Sequence, residues 1–132
     1  ATRTPAGPWL IPVATPPQFE PEALRLSVQR LLALQPICVY LTHFGRIEVL
    51  PDRTAHMLGM LDDLVQLGHA CQARADRHDA LRRGVLELLA AGLHAHGCAL
   101  PEATVAGLLE VDLELTAQGL GAWLDRQAMP AG

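Results

Sequence analysis

Pro36-Ile37-Cys38-Val39-Tyr40-Leu41-Thr42-His43-Phe44-Gly45 is the stretch on which the fold turns. Ile37 to Thr42 is rich in β-branched and aromatic residues and is bounded by Pro36 and Gly45, the composition of a short buried strand. No other run in the chain reads as convincingly extended. A strand needs neighbours on at least one side to satisfy its backbone donors and acceptors. A lone strand therefore implies partners that this sequence does not contain.

Outward from that strand the pattern is helical. On the N-terminal side, Pro21 suits a first helical position and Glu22 the positive end of the helix dipole. Leu24, Val28, Leu31, Leu32 and Gln35 then recur at helical spacing until Pro36 stops them, which predicts a helix over 21–35. Six of the ten prolines fall in residues 1–22, so residues 1–20 must form an extended, docked or mobile arm. Trp9, Leu10, Ile11, Val13 and Phe19 give that arm apolar anchors.

After Pro51 the chain reads as helix to its end. Residues 52–74 carry Leu58, Leu61, Leu64, Val65 and Gly68 on one stripe with Asp62, Asp63 and Gln66 opposite. Residues 77–96 repeat the plan with Leu81, Val85, Leu88, Leu89 and Leu93 inward and Arg82, Arg83 and Glu87 outward, and Gly97 closes the helix. Pro101 and Glu102 open a further helix whose stripe runs through Val105, Leu108, Leu109, Leu113, Leu120 and Leu124. Within it, Glu110-Val111-Asp112-Leu113-Glu114-Leu115 alternates with a period of two, but its flanks are helical and helix is the reading, with a break allowed at Gly119 or Gly121. The expected fold class is mainly α, a bundle of about four to five helices with one short strand.

Composition narrows the classes. Of 132 residues, 24 are Leu and 20 Ala, aromatics make up only 4%, and all ten basic residues are Arg, a mixture that favours helix over sheet. No apolar run approaches the roughly 18–20 residues needed to cross a bilayer, so a membrane span is excluded. A net charge of −4 with no basic cluster argues against nucleic acid, Arg82-Arg83 being the only adjacent basic pair. Cys38, Cys71 and Cys98 are odd in number and widely spaced, which reads as reduced, buried thiols in a cytoplasmic protein. The start Ala-Thr-Arg-Thr resembles neither a signal peptide nor a translational start, so the chain is expected to be a piece of something longer.

Six histidines invite a metal reading. His94 and His96 stand two residues apart on a helix, pointing roughly 200° from each other, and cannot share one ion. His56, His69 and His78 have no second ligand one helical turn away and read as surface or packing residues. The sole Ser, Ser27, sits inside a helix with no activating base nearby, so no catalytic residue is assigned. His43 differs, because it follows the strand directly where the backbone turns out of the sheet, the place where ligands and metals are held in α/β proteins. Position alone weighs a ligand role and a backbone-bonded strand cap equally, and one His is not a site.

The run from Trp9 to Gly45 resembles the tail of metallo-β-lactamase-fold hydrolases, in which a late helix leads to a last core strand that delivers a final metal-binding His. The resemblance rests on Thr15-Pro16-Pro17-Gln18-Phe19-Glu20-Pro21-Glu22-Ala23-Leu24, on Leu31-Leu32-Ala33-Leu34 and on Val39-Tyr40-Leu41-Thr42-His43-Phe44-Gly45. Asp112 to Gly121 with Trp123-Leu124 looks like the helical extension of one bacterial branch. What the resemblance implies is the C-terminal part of an αββα sandwich. It divides the chain into the arm at 1–20, the last helix and strand of the core at 21–45, and a helical accessory domain at 46–132. His43 would be the last ligand of a binuclear centre, usually zinc and sometimes iron or manganese, that activates water against an ester, thioester, lactam or phosphodiester. The His-x-His-x-Asp-His motif, the later His and the bridging Asp are missing from this chain.

The partners implied are the missing N-terminal core and, for the intact parent, a small-molecule substrate whose binding residues are unknown. The chain alone is expected to hold no stoichiometric zinc and to have no esterase activity. Surplus Leu makes a homodimer more than usually expected. The alternative reading is a non-enzymatic helical domain that uses its Leu stripes for interaction or dimerisation.

Overall fold

The computed structural model describes residues 1–128, and among them the chain is a mainly α bundle of five helices with four short strands. Residues 129–132, the end of the expected helical region, lie outside the described residues.

Three long helices make the body: α2 (Pro51–Cys71), α3 (Arg77–Ala95) and α5 (Glu110–Ala128), with the short α4 (Glu102–Leu108) leading into α5. Their apolar stripes meet at Leu61, Leu64, Leu81, Val85, Leu89, Leu113, Leu120 and Leu124, all fully buried. Each such side chain contributes about 1.5–3 kcal/mol by leaving water. Asp62, Asp63, Arg83 and Glu87 stay exposed on the far faces, as the helical period requires.

The stripe on the last helical region is interrupted differently from expectation. The break falls at Leu109, whose φ of −109° and ψ of 17° end α4, while α5 runs without interruption through Gly119 and Gly121. The kink turns Val105, Leu109 and Leu113 into one core and leaves Leu108 at the surface. The period-two run 110–115 is helix. Its alternation is incidental, since of its three apolar residues only Leu113 is buried.

The arm is docked. β1 (Thr2–Thr4) and β2 (Gly7–Trp9) form a hairpin, held at its turn by the Thr4 hydroxyl, which donates to the Gly7 carbonyl at 2.8 Å and accepts the Ala6 N–H at 3.2 Å. Trp9 is buried against α2 and α3, and its indole N–H has no acceptor among the described residues. Beyond it, Ala14 lies on Gly119 of α5, and the Phe19 ring meets Trp123 edge-on at 6.1 Å. Arg126 closes this contact, donating to the carbonyls of Pro17 and Phe19 and to the Glu20 carboxylate at 2.8 Å. Of the expected anchors, Trp9 and Phe19 are buried and Leu10 and Ile11 half-buried, whereas Val13 is exposed.

Between the arm and α2 come α1 (Pro21–Ala33) and a second hairpin, β3 (Cys38–Leu41) with β4 (Gly45–Glu48). The expectation that the strand lacks a partner is therefore overturned. β3 pairs antiparallel with β4 from Cys38 opposite Glu48 to Leu41 opposite Gly45. The three-residue turn Thr42-His43-Phe44 makes this possible because Gly45 adopts φ of +108°, a left-handed conformation that a side chain would oppose. Nor is the strand buried: Tyr40 is exposed and Cys38, Val39 and Leu41 are half-buried. The burial of Trp9 and of the Leu stripes within one chain likewise means that those residues do not mark a missing neighbour. α1 ends at Ala33 with Leu34 as its C-cap, and Gln35 follows in the left-handed region at φ of +50° ahead of Pro36.

Candidate functional site

His43 sits at the tip of the β3–β4 hairpin, its side chain exposed. The hairpin leans over an opening of about 400 Å³ bounded by the arm, α1, the hairpin itself and the first turns of α2. Strand alternation sorts its side chains: Val39 and Leu41 face the opening while Tyr40 faces away. From α1, Leu24, Val28 and Leu32, one helical turn apart, line the same space, and Met57 of α2 forms its floor. Phe44, next to His43, lies at the rim, and the Arg3 guanidinium stands over its ring at 5.0 Å. That is cation–π distance, which ties the first hairpin to the tip of the second.

The outward side of this region is uncovered. Leu26, Leu34, Ile37 and Tyr40 are exposed, Ile37 to 84% and Tyr40 to 76%. All four belong to α1, β3 and the link between them. The body formed by α2 to α5 covers its own stripe apart from Leu108, Val111 and the partly covered Leu115, which make a smaller apolar streak along the α4–α5 corner.

Among the described residues, no three His, Cys, Asp or Glu side chains come together as a metal-binding group. A lone exposed imidazole does not supply the three or four ligands that zinc requires, so this chain by itself does not fit the metal centre that the resemblance implies. The other histidines lie elsewhere. His69 packs edge-on against Trp123 at 5.1 Å, His78 stands 3.3 Å from Glu114, and His96 lies 3.3 Å from the Gly7 carbonyl, tying α3 to the first hairpin. Cys71 and Cys98 are buried and Cys38 is half-buried, and all three thiols are free.

The shifted titrating side chains mark structure rather than chemistry. Glu114 on α5 is held below the usual carboxylate range, chiefly by the hydrogen bond from the Gln118 amide at 2.6 Å and then by His78 and Arg82 of α3. Asp76 is lowered by its two-pronged hydrogen bond with Arg74, whose own guanidinium is correspondingly raised. Both groups are solvated ion-pair partners at helix ends and faces, away from the opening.

What sequence reasoning missed was the tip's surroundings. The second strand had a signal in the alternation Arg46-Ile47-Glu48-Val49 after a glycine, whereas the contact between Arg3 and Phe44 joins residues 41 positions apart and has none. Comparison with family models, with curated proteins and with solved structures finds no match to this chain.

Proposed function

We infer that the chain is the C-terminal accessory region of a metal-dependent hydrolase of the metallo-β-lactamase superfamily. In the intact bacterial parent, His43 is the last metal ligand and helices α2 to α5 stand beside the active-site mouth. The observation that carries this reading is the distribution of uncovered apolar surface. Leu26, Leu34, Ile37 and Tyr40 belong to the segment that the resemblance assigns to the hydrolase core, whereas the stripes of the helical body assigned to the accessory domain are largely covered already, by one another and by Trp9, Ala14 and Phe19 of the arm. The missing core would cover the first and have no need to cover the second. His43 stands exposed at the tip of the same segment. Three free thiols fit a reducing compartment, and the cytoplasm is proposed.

Sequencing the reading frame upstream of Ala1 is the first test, and a His-x-His-x-Asp-His run there is the expected result. Metal analysis of the intact product and of its His43→Ala variant then decides the role of the residue. Loss of bound zinc, iron or manganese with His43→Ala is expected. An intact product that binds no metal, or whose metal content ignores His43, would sink the proposal.

The second reading, a non-enzymatic dimerisation domain, draws on the exposed residues Leu108 at the end of α4 and Val111 and Leu115, one helical turn apart on α5. It expects a dimer in sedimentation equilibrium that Val111→Arg dissociates. A monomer at all concentrations removes it.

A further inference from the structure

The two edges of the second hairpin are not alike. The Val49 N–H donates to the Ile37 carbonyl at 3.0 Å, so Ile37, and with it Val39 and Leu41, turn their backbone groups toward β4. Cys38 and Tyr40 turn theirs the other way, where no other strand among the described residues pairs with them. The outward groups of β4 belong to Arg46 and Glu48, and the Glu48 carbonyl is capped by the Arg53 guanidinium at 3.2 Å. Charged side chains of this kind are how native sheets close an edge to further strands. β3 has no such protection, since the run from Ile37 to Phe44 contains no Arg, Asp or Glu. Leu34, Ile37 and Tyr40, in and just before that strand, are the three most exposed large apolar side chains among the described residues.

We propose that the open edge of β3 pairs antiparallel with the same edge of a second copy of this chain, with the two-fold axis at Val39. In that register Cys38 lies opposite the partner's Tyr40, and Tyr40 opposite the partner's Cys38. Each pair exchanges both backbone bonds, so the four outward groups of each edge are all satisfied. The side chain that meets its own copy is Val39, so no like charges face each other across the axis. Ile37 falls opposite the partner's Leu41, and the two Tyr40 rings lie diagonally across the axis, about 7–8 Å apart and within reach of each other. The charged, capped β4 edges become the outside of a four-stranded sheet, so the pairing closes at two chains. A single strand edge with Leu34, Ile37 and Tyr40 from each chain falls short of the roughly 800 Å² per partner of a standard interface, which makes the dimer weak and concentration-dependent. In an intact parent of the kind proposed above, the core would take this edge; in the 132-residue chain a second copy takes it. A chain that stays monomeric would refute the pairing and leave the hydrolase reading standing.

The test is sedimentation equilibrium of the 132-residue chain, which is expected to show monomer and dimer in exchange. Tyr40→Pro removes an N–H that the ladder with β4 does not use, and it should weaken the dimer at least tenfold while helix content by circular dichroism is retained. Tyr40→Lys, at an exposed position, should do the same and keeps the test decisive if the proline variant does not fold. Val111→Arg, on the α4–α5 corner, should leave association unchanged. Register is read by oxidative cross-linking in a Cys38→Ser background. Val39→Cys sets two thiols directly opposite each other, with Cα atoms about 4.5 Å apart and so within disulfide range, and should give a covalent dimer. Ile37→Cys is more exposed but lies four residues from its own copy along the paired strands, and it should not cross-link. A monomer at all concentrations, association that runs beyond the dimer, a dimer that Val111→Arg dissociates and Tyr40→Lys spares, or cross-linking through Ile37→Cys in preference to Val39→Cys would each overturn the pairing.

Discussion

Replacing Gly119 by Ala should detach the arm from the helical body. A Cβ built at Gly119 would meet the carbonyl oxygen of Ala14, its carbonyl carbon at 2.6 Å and the carbonyl carbon of Thr15 at 3.2 Å. These are backbone atoms, so no rotamer change relieves the clash, and the arm must lift from α5 between Trp9 and Phe19. Overpacking costs about 1–3 kcal/mol, and against backbone atoms the upper part of that range, about 2–3 kcal/mol, applies, set against the roughly 1 kcal/mol that Ala gains over Gly inside a helix. The net expectation is a loss of about 1–2 kcal/mol. Gly121, two residues on in the same helix, has nothing within 4 Å of its built Cβ and supplies the control. Gly121→Ala should be stabilising by up to about 1 kcal/mol, so the two variants should differ by about 2–3 kcal/mol. In thermal unfolding that is a separation of roughly 8–12 °C for a chain of this size. Urea titration followed by tryptophan fluorescence is the assay, because Trp9 reports the arm and Trp123 the body. Equal stability of Gly119→Ala and Gly121→Ala would refute the docking of Ala14 on α5.

Arg126→Met should cost about 1–2 kcal/mol, because it removes charged hydrogen bonds to the Pro17 and Phe19 carbonyls as well as a partly solvated contact with Glu20. Glu20→Gln, which spares the carbonyl bonds, should cost less, and a urea series in which the two are equal would contradict that division. Gln35→Gly should stabilise by up to about 1 kcal/mol in the same assay, since it relieves a left-handed residue at the end of α1; destabilisation would place the strain elsewhere. Glu114 is lowered in the folded chain, so its small stabilising contribution is present above the ordinary carboxylate pKa and is lost as pH falls through the lowered one. A carbon-detected NMR titration should place its midpoint below that of a free glutamate, and Gln118→Ala should move it upward. A midpoint that does not respond would deny the amide its role.

Legibility in the sequence followed signal length. α2 and α3 announce themselves because an apolar stripe recurs over five or more turns, and their start and stop residues lie within a few positions of the expected ones. The kink at Leu109 has no glycine or proline to mark it and arises from the packing of Val105, Leu109 and Leu113 together. Gly119 carried a misleading signal. A glycine inside a helix can mean a weak point or a close contact, and only the position of Ala14 tells which. The four-residue strands of the second hairpin are too short for periodicity to resolve, although the glycine after Phe44 pointed to a turn. His43 was legible as the residue where the chain leaves a strand. Its neighbour Arg3 was not, because cation–π contact across the fold leaves no local trace.

The Arg126 clasp gives the chain an unusual mechanical layout. It pins residues 17–20 to the C-terminal helix, and α2 leaves the same body at Pro51. The intervening residues are thus a loop of structure clamped at both feet, steadied near the first of them by the ion pair between Arg25 and Asp62. His43 rides near the far point of that loop. That tip is held separately by Arg3 over Phe44, and so by the first hairpin, which is itself anchored on α2 and α3 through Trp9; the position of the imidazole is thus set by contacts reaching it from two different parts of the chain.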